Sequence, residues 1–236
     1  MLKLGIIGAM DSEVINLIKR MEDAAIYEYA GRRFFTGTLA GKNVVVVQSG
    51  IGKVAAAITA QILVDVFQVT ALLNTGMAGG LDARLAVKDL VIATGALQHD
   101  FDLTAFGHVK GFLTGDDDTK PTVFATDPTL VEKALTAAAA VLPEGSKAIT
   151  GLVASGDIFV DDSALKATLR DDFGAAAAEM EGAAIAQTAV ANNLPFVILR
   201  TISDLAEQEA TVSFDEMERY AGQLAGDITV ALCQTL

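Results

Sequence analysis

The strongest constraint on the fold is a repeated alternation between short apolar runs of β character and longer segments of helical character, which reads as a sheet covered by helices. Leu4 to Ile7, Val44 to Val47 and Ala71 to Asn74 read as strands, and Glu13 to Met21 and Val54 to Phe67 as helices between them. Further strands are expected at Asp89 to Thr94, Ala148 to Ala154, Ala176 to Met180 and Pro195 to Ser203. Helices are expected at 128 to 141, 163 to 171, 181 to 193 and 214 to 235, with Asp127 capping the first of them ahead of Pro128. Glycine clusters at Gly5/Gly8, Gly50/Gly52, Gly76/Gly79/Gly80 and Gly156 fall just after expected strands, where an open sheet places its ligand crevice.

A chain of 236 residues with 52% apolar content can bury a sizeable core, and no repeat, heptad or Pro/Ser-rich linker divides it. One domain, 1–236, is the economical expectation. Only the stretch from Gly115 to Thr119 turns strongly polar, and it reads as a surface loop. The formal charge of −13 disfavours nucleic acid, whose phosphates need a basic face. The opening LKLGIIGAM lacks a signal-peptide pattern, and no apolar run reaches the roughly 18 residues of a membrane span. A soluble, cytoplasmic protein with no membrane partner is expected. The lone Cys233, in an apolar helical run, reads as a buried structural thiol. His99, Asp100 and Asp102 read as a polar cluster at a loop edge, and no metal is expected.

Two glycine turns fail as nucleotide motifs. GIIGAMDSEV has the spacing GxxG where a dinucleotide site needs GxGxxG. SGIGKVAAA places Val54 where a phosphate loop needs Ser or Thr. What remains there is a turn opening a helix, whose amides face an anion, a polar substrate atom or water.

Carboxylates carry the remaining chemistry. AEMEGAAIAQ sets Glu179 and Glu181 on one side of a strand end, although two acids at a helix start also serve the helix dipole. RTISDLAEQ delivers Arg200, Ser203 and Asp204 to the end of an apolar strand, where burial is expected to raise a carboxyl pKa and keep a proton donor loaded. Glu13 adds a third acid just past the first strand, with Asp11 a candidate helix cap. Acids converging on one crevice, with few histidines, fit cleavage of a glycosidic bond: a proton donor for the leaving group, negative charge for an oxocarbenium-like transition state, and a base for water.

The segments GIIGAMDSEV, SGIGKVAAA, NTGMAGGL, HDFDLTAFG, ASGDIFV, EMEGAAIA, RTISDLA and SFDEM, in this order from about residue 2 to about residue 230, resemble the methylthioadenosine/S-adenosylhomocysteine nucleosidases. The resemblance implies an α/β three-layer sandwich of nucleoside phosphorylase type, its mixed central sheet flanked by helices. It implies a cofactor-free hydrolysis releasing adenine from 5'-thio-substituted adenine nucleosides, and from 5'-deoxyadenosine, in methionine salvage and recycling of S-adenosylmethionine by-products. In that pattern Glu13 activates water, Glu181 takes the ribose hydroxyls, Met180 packs along the sugar, and Asp204 protonates adenine N7 with Ser203 fixing its carboxyl group. Phe159 stacks on adenine, the Val160 backbone pairs with its edge, and Arg200 supports the site near Glu13. Ala78, Gly79 and Glu179 are further substrate contacts by the same pattern. Met10, Ile51 and Phe214 line the 5' slot, which Leu103 and Phe106 of a second subunit complete in a homodimer. Two positions depart from the pattern: Met77 stands where a serine follows NTG, and Thr114 where a proline is usual. A purine nucleoside phosphorylase of the same fold would need cations for phosphate, for which Lys53, Arg84 and Arg200 are the candidates near the glycine turns.

Overall fold

The structure, a computed structural model, describes residues 2–115, 117–205 and 214–236, with the side chains of 214 and 215 excepted. In chain order its first half runs β1 (Lys3–Gly8), α1 (Asp11–Ile18), β2 (Glu22–Tyr29), β3 (Arg32–Leu39), β4 (Lys42–Gln48), α2 (Lys53–Asp65), β5 (Ala71–Gly80) and β6 (Leu90–Gln98). After a 3-10 turn at Thr104–Phe106 come β7 (Phe124–Ala125), α3 (Pro128–Val141), β8 (Ala148–Ser155), α4 (Ser163–Asp171), β9 (Ala175–Glu179), α5 (Gly182–Ala191), β10 (Phe196–Leu205) and α6 (Phe214–Thr235).

The sheet is mixed. β4, β1, β5 and β10 run parallel side by side, with Leu4 opposite both Val44 and Ala71, and Phe196 opposite Leu72. β6 joins β10 antiparallel, β8 joins β6 in parallel, and β9 links β8 back to β5. Strands β5, β10, β6, β8 and β9 therefore close into a ring, while β3 and β2 extend the opposite edge as an antiparallel hairpin.

Alternation along β1 explains the layers, because successive side chains leave opposite faces of a strand. Leu4 and Ile6 enter a core with Val14 and Leu17 of α1, Ala134 and Ala138 of α3, and Leu224, Ile228 and Leu232 of α6. Ile7 enters another with Ala56, Ala60 and Leu63 of α2 and Ala183, Ile185 and Ala189 of α5. Cys233 lies fully buried in the first core, where burial pushes its thiol up to about 11. Asp127 caps α3 as expected, accepting from the Leu130 amide at 3.0 Å. α6 packs across α1, where Ser12 Oγ donates to Glu218 at 2.6 Å and Gly222 lies against the Ser12 carbonyl so closely that a methyl group there would collide with it. Among the described residues no helix is long and apolar enough to cross a membrane.

Three expectations need correction. β5 continues through NTGMAGG to Gly80, so its glycines lie within a strand rather than after it. Asp11 is the first residue of α1 and not its cap; the capping contact comes from Glu13, reaching back to the Met10 amide. The hairpin β2–β3 was not anticipated, since β2 is exposed along its whole length and shows no half-buried pattern.

Candidate active site

Glu13 is fixed by backbone. The chain leaves β1 at Gly8 and turns into α1, so that Glu13 folds back over the turn. Its Oε2 accepts from the amides of Ala9 (2.6 Å) and Met10 (3.0 Å), and its Oε1 accepts from the amide of Met77 on β5 (3.1 Å). Gly76 is required by this approach, because a Cβ there would stand 2.6 Å from Glu13 Oε1. Burial raises the Glu13 pKa, while the Arg200 charge and the three amides pull it the other way.

The two acids of EMEG have separate fates. Glu179, at the end of β9, pairs with the fully buried Arg200 of β10, which also bonds Asn74. It accepts further bonds from Ser155 Oγ and from the amides of Glu181 (3.1 Å) and Gly182 (2.8 Å) at the start of α5. Against the cost of its burial, Arg200 and these donors hold its pKa below the usual carboxylate range. Glu181 accepts the Gly52 amide at 2.8 Å, and burial followed by the nearby Glu179 charge pushes it up to about 7. The glycine turn before α2 thus spends its amides on carboxylates, Gly52 on Glu181 and Lys53 on Asp157 (2.8 Å).

Ser203 and Asp204 reach the same cavity because β10 bulges. Ile202 pairs with Ala78 and Asp204 with Gly79, leaving Ser203 as the extra residue. Ser203 Oγ lies 2.8 Å from Asp204 Oδ1 and donates to it. The buried apolar setting expected for Asp204 is not what surrounds it: its side chain is 33% exposed, and Lys166 Nζ stands 3.5 Å from Oδ2.

These acids line one cavity of about 200 Å³ whose other walls are mainly apolar, formed by Ala9, Met10, Ile51, Met77, Ala78, Gly79, Ile158, Phe159, Val160 and Met180 among others. Phe159 is 71% exposed at its rim. No cluster of three or more His, Cys, Asp or Glu among the described residues could hold a metal ion. His99 instead packs its ring against Gly156, while Asp100 pairs with Lys53 at 2.6 Å.

The description of the phosphorylase superfamily matches residues 3–234. A curated 5'-methylthioadenosine/S-adenosylhomocysteine nucleosidase of Shewanella frigidimarina is 42% identical over 236 residues, spanning all of both chains. The chain belongs to this nucleosidase family. A solved nucleosidase of Colwellia psychrerythraea, in complex with adenine, is 43% identical with a TM-score of 0.89, covering 98% of this chain and 94% of its own. The Neisseria meningitidis nucleosidase, in complex with methylthio-immucillin-A, superposes with a TM-score of 0.91 at 38% identity over 100% of both chains. The mixed sheet flanked by helices is the fold of these nucleosidases, as the sequence resemblance implied.

Within that family frame, the expected residues Glu13, Asp204, Met10, Ile51, Ala78, Gly79, Phe159, Val160, Glu179, Met180, Glu181 and Ser203 all line the cavity. Arg200 lies behind it, held by Glu179. Phe214 begins α6, and its side chain lies outside the described residues. Leu103 caps the 3-10 turn and Phe106 ends it, and neither is among the residues lining this chain's own cavity; Phe106 is 79% exposed. Met77 contributes its amide to Glu13, a contact that a serine there would equally permit, and Thr114 sits exposed on a loop braced by Thr122. Lys166 was missed. Its only sequence signal is the spacing to Leu169, three residues on, which shares the buried face of α4.

Proposed function

We propose that the chain hydrolyses the N-glycosidic bond of 5'-methylthioadenosine and S-adenosylhomocysteine, releasing adenine and a 5'-thio-substituted ribose. The observation that carries this reading is the placing of Glu13, Glu181 and Asp204 around one largely apolar cavity. The bound adenine and methylthio-immucillin-A of the Colwellia and Neisseria relatives support an adenine nucleoside as ligand.

Glu13 takes the proton of the attacking water, a role favoured by its raised pKa, since a base works best when its pKa lies near the operating pH. Glu181 accepts the ribose hydroxyls, and Met180 packs along the sugar. Asp204, oriented by Ser203, delivers a proton to N7 so that the base leaves neutral. Phe159 stacks on the purine and the Val160 backbone meets its edge. Met10, Ile51 and Phe214 receive the 5'-thio group. A homodimer completes that slot with Leu103 and Phe106 of the second copy, a reading supported by the exposure of Ile51, Val54, Ile58 and Phe106.

Water rather than phosphate is the nucleophile because the cations near the glycine turns are engaged: Lys53 by Asp100, Arg84 by Asp82 and Arg200 by Glu179. Adenine release should therefore proceed in phosphate-free buffer from methylthioadenosine, S-adenosylhomocysteine and 5'-deoxyadenosine, with added phosphate leaving the rate unchanged. Release that requires phosphate would move the chain to the phosphorylases.

A further inference from the structure

Lys166 is a lysine at an inward-facing helix position. It sits on α4 one turn before the core residue Leu169, only 7% exposed, and its ammonium lines the cavity 3.5 Å from Asp204 Oδ2. The proposed reaction puts Asp204 at purine N7. N7 and the 6-substituent share one edge of a purine, so a group beside Asp204 faces position 6 as well. Adenine presents an acceptor at N7 and an amino donor there, whereas a 6-oxopurine presents two acceptors. Asp204, carrying its proton on the oxygen that meets N7, can accept from a 6-amino group through its other oxygen, whose lone pairs would repel a 6-oxo oxygen. An ammonium is donor-only, with three N–H groups to offer. Asp204 and Lys166 therefore set an acceptor and a donor side by side at this edge.

We propose that Lys166 reads position 6 of the base and extends hydrolysis to 6-oxopurine nucleosides carrying an apolar 5'-thio group. The inference rests on the nucleosidase reading of the same cavity. The chemical step keeps its balance: water forms the C1'–O bond and loses a proton to Glu13, the C1'–N9 electron pair departs with the base, and N7 gains a proton from Asp204. Lys166 donates to O6, where negative charge gathers as the bond breaks, and so favours the transition state over the ground state. Ile158 and Phe159 also line the cavity, and their apolar side chains offer no polar atom that could tell the two base classes apart.

The test compares release of hypoxanthine from 5'-methylthioinosine with release of adenine from methylthioadenosine, by kcat/KM, in the wild type and in Lys166→Met. A site with no partner for a 6-oxo group would reject it by about 10⁴-fold or more. Here the wild-type preference for adenine is expected to stay within about 100-fold. In Lys166→Met the 6-oxo to 6-amino ratio should fall by about 10- to 100-fold, the worth of one charged hydrogen bond. Lys166→Gln, which keeps an N–H donor, should lose less of that ratio, and inhibition of the wild type by free hypoxanthine gives a readout independent of any variant. An unchanged ratio in Lys166→Met overturns the proposal, as does release of adenine alone by the wild type. Release of neither base would overturn the nucleosidase reading itself and this inference with it.

Discussion

At the end of the cavity proposed above to take ribose, Glu13, Glu179, Glu181 and Arg200 are between 1% and 7% exposed, whereas at the end proposed to take the base Phe159 is 71% exposed and Asp204 is a third open to solvent. The ribose end is held by main-chain amides and one buried ion pair that the protein supplies itself. At the other end the partners of Asp204 among the described residues are the side chains of Ser203 and Lys166, and the aromatic wall is left uncovered. Groups that must carry charge out of water need partners before substrate arrives, because an uncompensated buried charge is costly. The purine, an apolar ring with a few edge contacts, can complete its own wall on binding.

From that contrast, the proposed acid and the proposed base should fail differently. Asp204→Asn and Glu13→Gln should each lower kcat by about 10²- to 10⁴-fold, the usual worth of general acid or base catalysis. Glu13→Gln should lower stability the more, by about 1–3 kcal/mol, because its NH2 group would face main-chain N–H donors where an acceptor is needed, whereas an Asn at 204 keeps an oxygen that can accept from Lys166. Equal melting temperatures for the two variants would erase the distinction between the ends.

Arg200→Met probes the ion pair beneath the ribose end. It strands the Glu179 carboxylate, and about 3–5 kcal/mol of stability should be lost. A near-normal denaturation midpoint would mean that the amides of Glu181 and Gly182 and the Ser155 hydroxyl suffice to hold Glu179.

A further effect is a pH dependence. Glu181 is pushed from 4.5 up to about 7, so the folded state binds its proton more tightly than the unfolded chain does. Its contribution is full below pH 4.5 and is lost as pH rises to about 7, with no further change above. Glu181→Gln removes that loss. It should match the wild type near pH 4.5 and exceed it by about 3 kcal/mol at pH 8, while weakening ribose binding. A stability difference that is the same at both pH values would show that Glu181 does not titrate in this range.

Local signals carried much of the structure. Helices α3, α4 and α6 follow the expected spans because Ala-rich periodicity and caps act within a few residues. The acids of GAMDSE, EME and ISD were legible as a converging set because each follows a strand. Ring closure was not legible, since β10 meeting both β5 and β6 depends on pairings far apart in the chain. The glycines of β5 read as a turn, yet within the strand Gly76 makes room for Glu13, and a Cβ at Gly79 would touch Asp204 Oδ2 at 3.4 Å. Lys166 stayed hidden because a single lysine on a short amphipathic helix reads as part of its wet face.

The crossing of α6 over α1 has a consequence for how this enzyme can be damaged without touching its cavity. Gly222 abuts the carbonyl of Ser12, the residue beside Glu13. Any side chain at 222 must lift one helix from the other, and the displacement is delivered one peptide unit from the carboxylate proposed to activate water. A surface helix thereby acts as a spacer whose thickness sets catalytic alignment, and a glycine far along the chain becomes as intolerant of change as the residues that meet substrate.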